Sequence, residues 1–199
     1  MPLERELKYA DVDLVALRRA LSAGGGDSGG GRYFESNLVF DGPGRPLRSS
    51  GVLLRLRLRQ GQAVLTVKRP PAVAEASALK VFEELETTVG DFSVMRQALE
   101  AVGFEAAFAY EKVREKWLFA GCTVCLDHLP FGDFVEIEGD EMSVPRCAEA
   151  LGLDPATATR ATYHALNLER QGDDGGESDE NFVFSSEERA KLLAEIDRE

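Results

Sequence analysis

The segment Leu3-Glu4-Arg5-Glu6-Leu7-Lys8 sets two carboxylates and an ammonium at every second residue. In an extended strand, positions i, i+2 and i+4 point to one side. Glu4, Glu6 and Lys8 therefore share a face, and Leu3, Arg5 and Leu7 share the other. The device recurs along the chain. Arg55, Arg57 and Arg59 alternate with Leu54, Leu56 and Leu58, and Lys68 follows Thr66 on the next stretch. Glu84 and Glu86 share a face, as do Lys112, Arg114 and Lys116. Asp127 goes with Cys125, and Phe134, Glu136 and Glu138 alternate with Val135 and Ile137.

Paired carboxylates at this spacing suit a hard divalent cation, which takes oxygen ligands and keeps water. Arginine and lysine around it suit a polyphosphate, one as a fork of donors and the other as a point charge. Acids and bases facing one cavity imply a metal–polyphosphate complex, because neither set explains the other. Such alternation ordinarily marks the solvated face of an antiparallel sheet. Two features argue for an interior instead. Acids dominate the first and last strands and bases the middle ones, and the Leu, Val and Ile alternates are free to pack outward against helices.

The elements that must position these residues follow from periodicity and turn chemistry. Strands are expected at the N-terminus and over 33–40, 52–59, 64–69, 80–89, 105–119, 122–129 and 132–137. Tight turns fall at Gln60-Gly61-Gln62-Ala63 and Ala120-Gly121. Helices are expected from a cap at Asp11 or Asp13 to about Leu21, over 92–102 up to Gly103, over 145–151, and over 159–168. Charged inner faces on neighbouring antiparallel strands need a closed or nearly closed sheet around water and ligand. The fold class is thus α+β, an eight-stranded antiparallel β-tunnel with helices outside. Ala23 to Gly31 is glycine-rich but lacks the GK[ST] ending of a phosphate loop, so a flexible linker is expected there. The division is 1–170 for the tunnel domain, 171–181 for an acidic flexible linker and 182–199 for a short C-terminal helix. That helix starts at the capping-box pattern Ser185-x-x-Glu188.

Composition sets the outer bounds. The 199 residues are enough for one domain with a core, and 44% hydrophobic with 29% charged residues fits a globular chain. A net charge of −12 argues against a general nucleic-acid binder. The basic stretch from Arg45 to Arg69 points to a confined anion site instead. No apolar run reaches the ~20 residues of a membrane helix, and no signal-peptide h-region follows the N-terminus; a cytoplasmic location is expected. Cys122-x-x-Cys125 has zinc spacing but no second ligand pair, and with Cys147 the cysteine count is odd, so neither zinc nor a disulfide framework is expected. His128 and His164 lack a nucleophile and acid to work with. Trp117 and Tyr110 fit core or rim packing better than stacking on a ring.

Glu4-x-Glu6-x-Lys8, Leu53-Leu54-Arg55-Leu56-Arg57, Leu65-Thr66-Val67-Lys68, Glu84-Leu85-Glu86, Glu111-Lys112-Val113-Arg114 and Phe131 to Glu138, in this order, resemble the CYTH superfamily of triphosphate tunnel metalloenzymes. The likeness runs from Leu3 to about Tyr163, with Thr162-Tyr163 where the family has a Ser-Tyr pair. It implies an eight-stranded tunnel that binds a triphosphate-containing small molecule with Mg2+ or Mn2+. Glu4, Glu6, Glu136, Glu138 and Asp127 would be metal ligands; Lys8, Arg55, Arg57, Lys68, Lys112 and Arg114 would hold phosphate. Lys8, Glu4 and Glu6 would serve catalysis, and Glu84 and Glu86 would line the tunnel. The activity implied is a metal-dependent triphosphatase acting on tripolyphosphate, thiamine triphosphate or a nucleoside triphosphate. Class IV adenylyl cyclase, which makes cyclic AMP and pyrophosphate from ATP, and a non-catalytic polyphosphate binder are the alternatives. Neither membrane nor nucleic acid is an expected partner, and a homodimer is among the states allowed.

Overall fold

In the computed structural model, residues 3–73, 76–172 and 179–198 are described. The strands are β1 (Leu3–Ala10), β2 (Asp27–Asp41), β3 (Leu53–Arg59), β4 (Gln62–Arg69), β5 (Lys80–Val89), β6 (Glu105–Phe119), β7 (Cys122–Leu129), β8 (Gly132–Glu138) and the two-residue β9 (Ala158–Thr159). The helices are α1 (Leu14–Ala23), α2 (Pro46–Ser49), α3 (Phe92–Ala101), α4 (Ser143–Ala150), α5 (Tyr163–Gln171) and α6 (Ser186–Ile196). Eight strands close in the ring order β1-β5-β4-β3-β2-β6-β7-β8, every pair antiparallel. Closure falls on β1, whose residues 3–6 pair with β5 and residues 6–10 with β8. β9 adds against Lys8 and Tyr9, where β5 has ended.

Local chemistry explains the connections. The turns Gln60-Gly61 and Ala120-Gly121 both hold positive φ at their two central residues, the twist that two-residue hairpins need and that glycine supplies without strain. The Asp13 carboxylate caps α1 by accepting from the Val15 and Ala16 amides, and Asp91 caps α3 in the same way through Val94.

The apolar alternates face outward. Tyr9, Val124, Leu126, Val135 and Ile137 on the barrel's outer wall pack with Leu17 and Leu21 of α1 and Val144 and Cys147 of α4. On the opposite side, Phe40, Leu54 and Leu56 pack with Leu99 of α3. A third cluster sits at one end of the barrel, where inward Val39, Tyr110 and Phe134 meet Leu166 of α5 and Phe182.

Three expectations change. The glycine-rich stretch is no free linker. β2 begins at Asp27, and its register against β6 shifts between Ser28 and Arg32, so Gly29 to Gly31 form a bulged extension of the ladder. The helix expected over 159–168 starts at Tyr163, because Thr159 is in β9 and the Thr162 hydroxyl caps the helix by accepting from Ala165 N. Residues 173–178 of the expected acidic linker lie outside the described residues, while its described flanks are anchored. Gln171 belongs to α5 and exchanges hydrogen bonds with the Asp179 backbone at 2.7 and 2.9 Å.

Beyond that point the chain rejoins the barrel. The Phe182 amide donates to Ala109 O and Glu111 N donates to Phe182 O, each at 3.1 Å. This is a parallel bridge on the β6 edge that β7 leaves open. The Glu111 carboxylate accepts from Phe184 N and pairs with Arg189 of α6. The capping box at Ser185 and Glu188 forms as the sequence predicts. No described helix is long and apolar enough to cross a membrane.

If the apolar alternates carry the packing, Ile137→Ala lowers the unfolding free energy by about 2–5 kcal/mol, and Ile137→Val by about 1 kcal/mol, in urea titrations. A cost near zero for Ile137→Ala would contradict the outward placement.

Candidate active site

The strand register brings the inner charges together. Glu6 lies opposite Glu138 and Lys80, Lys8 opposite Glu136, Arg114 opposite Asp127, and Lys68 opposite Glu84. Direct cross-strand partners share a face, so these residues all point into the barrel. All but Asp127 line one cavity of about 530 Å³ inside it.

Three arrangements organise the cavity. In the first, the Lys8 ammonium sits 2.5 Å from Glu6 and 2.7 Å from Glu136. Burial alone would discharge it, but the Glu136 and Glu6 charges more than offset this and hold Lys8 protonated, its pKa raised. The same contacts keep Glu136 well below the ordinary carboxylate range, against the pull of burial.

In the second, Arg114 grips Asp127 through two hydrogen bonds of 2.6 Å, while Lys112 reaches Asp127 at 3.2 Å and the Tyr163 hydroxyl donates to it at 2.6 Å. Burial pushes the Asp127 carboxyl up, and the Arg114 and Lys112 charges overcome it to leave the group below its usual range. The Tyr163 ring also lies 5.1 Å from the Lys8 ammonium and 5.3 Å from that of Lys112, within cation–π range.

In the third, Arg57 is held by Asn37 at 2.8 Å and Glu35 at 3.1 Å. Arg55 donates to the Tyr110 hydroxyl at 3.1 Å and lies 3.9 Å from Glu84. Lys68 pairs with Glu4 and, at 3.5 Å, with Glu84; Glu86 accepts from Thr66 at 3.0 Å. Burial would raise the Tyr110 phenol, but Arg55 and Arg57 bring it down to about 8.

One part of the cavity gathers three carboxylates. Glu4, Glu6 and Glu138 offer oxygens within 4.8 Å of one another. Burial, then the Glu136 charge, pushes the Glu138 carboxyl up, and burial raises Glu4 as well. Glu4 pairs with Lys68 and Glu6 with Lys8 and Lys80, and a divalent cation would relieve the repulsion that remains among the three carboxylates. Oxygen donors in that number fit a hard ion.

Every site residue expected from the sequence faces this cavity or, for Asp127, the buried layer against it. Asp127 stands apart from the carboxylate trio, its oxygens engaged by Arg114, Lys112 and Tyr163. Arg59 and Lys116 line the cavity too. Glu35, Asn37 and Lys80 were missed, Tyr110 was expected only as core or rim packing, and Tyr163 only as part of the Thr162-Tyr163 pair. Glu35 and Asn37 carry the same i, i+2 signal between Phe34 and Leu38, and could have been found by it. Lys80, 3.0 Å from Glu6, opens β5 two residues before the Phe82 that faces Glu4, and no repeat marks it. Cys122 packs in the outer core while Cys125 faces Glu138 inside, so the two thiols point to opposite sides of β7 and hold no common ion. His128 bonds Asp133 and stacks on Phe184, away from the cavity.

The CYTH domain family model matches residues 2–185, and the chain belongs to that family. A Methanocaldococcus jannaschii protein, provisionally named an adenylate cyclase, is 29% identical over 108 residues, or 54% of this chain; the chain spans only 60% of that relative's length. A Vibrio parahaemolyticus structure with the same provisional name is 25% identical with a TM-score of 0.69, covering 81% of this chain and 95% of its own. A Hippeastrum protein, provisionally named an adenylyl cyclase and described as having dominant triphosphatase activity, shares the fold at 20% identity with a TM-score of 0.57, covering 86% of this chain and 96% of its own.

Asp127 titrates below its unfolded value, about 3.9. Its contribution to stability is therefore full above that pH and is lost as pH falls toward the folded value. Urea unfolding between pH 2.5 and 7 is expected to show native stability declining below about pH 4. Asp127→Asn should be less stable at neutral pH by about 3–5 kcal/mol, with a shallower acid decline.

Proposed function

We propose that this protein is a divalent-metal-dependent hydrolase of a triphosphate bound in the tunnel. The observation that carries the reading is the carboxylate trio Glu4, Glu6 and Glu138 on the same cavity as Arg55, Arg57, Lys68, Lys112 and Arg114. The trio would hold Mg2+ or Mn2+, with Glu136 beside it. A bound ion of this kind neutralises phosphate oxygens and makes water a better nucleophile.

The chain's own residues do the rest. Arg57 and Arg55 present fixed guanidinium forks to phosphate oxygens, oriented by Glu35, Asn37, Thr66 and Tyr110. Lys8 and Lys68 supply charges whose value is greatest where negative charge builds on the leaving phosphates. Asp127 positions Arg114 and Lys112 and, in this reading, takes no ion. Because these groups are already paired, little reorganisation is needed as the reaction proceeds.

The naming of the Methanocaldococcus and Vibrio relatives favours a second reading, adenylyl cyclase, in which the ribose 3′-hydroxyl replaces water and pyrophosphate leaves. Products separate the two. With ATP and Mn2+, hydrolysis gives orthophosphate and ADP, and cyclisation gives cyclic AMP and pyrophosphate. Tight triphosphate binding without turnover under any divalent ion would leave only a binding protein.

Chelation by EDTA, and Glu4→Gln or Glu136→Gln, should bring turnover below detection, whereas Arg57→Ala should raise KM by about 10- to 100-fold through the loss of a charged hydrogen bond. Full activity in Glu4→Gln would remove that residue from the metal site. Replacing His128 should change little.

A further inference from the structure

We infer that the cavity also takes a thiophilic divalent ion, of the Zn2+ class, on the Cys125 thiol together with Glu138 and Glu136. This ligand set differs from the oxygen trio and does not depend on the hydrolase reading. The sulfur and oxygen donors of the three residues lie within 4.8 Å of one another. Cys125 stands opposite Glu136 on β8 and Lys116 on β6, so register turns its side chain inward. The zinc-like spacing to Cys122 plays no part, since that thiol packs in the outer core.

A buried cysteine ordinarily packs as a small hydrophobe. Cys125 is fully buried yet sits among charges, its thiol 3.9 Å from Glu138 Oε1. Among the described residues Glu138 has no ion pair, and that thiol is its one hydrogen-bond partner. Glu136 gives one oxygen to Lys8 at 2.7 Å and the other to Arg114 at 3.1 Å. Each of these oxygens keeps a second lone pair for an ion. Hard ions such as Mg2+ gain little from sulfur, whereas Zn2+ accepts thiolate and carboxylate together.

A second unfilled group lies close by. Tyr33 stands opposite Arg114 on the inner wall and is 7% exposed, and its hydroxyl is buried with no hydrogen-bond partner among the described residues. Burial, then the Glu35 charge, pushes its phenol up to about 12, and Cys125 adds to the push from nearby. A buried hydroxyl of this kind is completed by a partner. Three protein ligands leave a zinc-class ion a fourth position for water, and that water would complete the phenol. Binding releases the thiol proton to solvent. Because Glu138 belongs to both ligand sets, an ion held here competes with Mg2+ for that carboxylate.

The test is absorption spectroscopy of the full chain titrated with Co2+ in the absence of any triphosphate. Co2+ stands in for Zn2+ and reports thiolate ligation as a near-ultraviolet charge-transfer band. The native protein should show the band and lose it on addition of Zn2+. Cys125→Ser should abolish the band and weaken Zn2+ binding by about 100-fold, read by competition with a chromophoric chelator. Glu4→Gln, which touches only the trio, should keep the band, as should Cys122→Ala. Should Cys125→Ser fail to fold, the protein with Cys122→Ala and Cys147→Ala, in which Cys125 is the one thiol left, carries the comparison and must show the band. Absence of the band from the native chain, or its survival in Cys125→Ser, overturns the inference. Turnover is read separately. A Cys125-dependent band without hydrolysis under Mg2+ would sustain the site and end the hydrolase reading. Hydrolysis without the band would do the reverse.

Discussion

Charges can run through the middle of a folded chain only where each meets an opposite charge or stays in water. The barrel satisfies this by register. Lys8 falls between Glu6 and Glu136, Arg114 falls on Asp127, and Glu35 falls between Arg57 and Lys112. Apart from Lys8 and Glu6, which are neighbours on β1, these partners come from different strands, so the pairing depends on strand register. Around Glu4, Glu6 and Glu138 three carboxylates crowd within 4.8 Å of one another and burial pushes Glu4 and Glu138 up, which makes the place fit for a cation.

An interior given over to charge cannot also be the hydrophobic core. Packing is therefore moved to the outside of the wall, where α1 and α4 cover one side and α3 another. Ion pairs also serve the outer face. Glu115 receives Arg18 of α1 at 2.8 Å and the Trp117 indole at 3.0 Å, and Glu111 receives Arg189 of α6. Even on β6 the two faces thus carry charge for different ends, one for ligand and one for attaching helices.

The C-terminal segment shows the same economy. Its backbone completes a ladder edge, its Phe182 fills the barrel end, and its Glu180 engages Arg45 and Arg48 at 3.8 and 2.7 Å. The family match ends at residue 185, within this segment, and α6 lies beyond it. Tyr163 joins α5 to the Asp127 layer.

Much of this was legible beforehand, because strand geometry converts spacing directly into facing. Alternation at Glu4-x-Glu6-x-Lys8, Arg55-x-Arg57 and Glu136-x-Glu138 determined which side chains share a side, and their ordered set determined the family. Spacing within one strand says nothing about which residue of another strand lies opposite. The engagement of Asp127 by Arg114, the isolation of Glu4, Glu6 and Glu138 as a trio, and the arrival of Phe182 beside Tyr110 were therefore decided by tertiary structure alone. They depend on the shear of the closed barrel and on contacts between residues far apart in the chain, which no local pattern encodes.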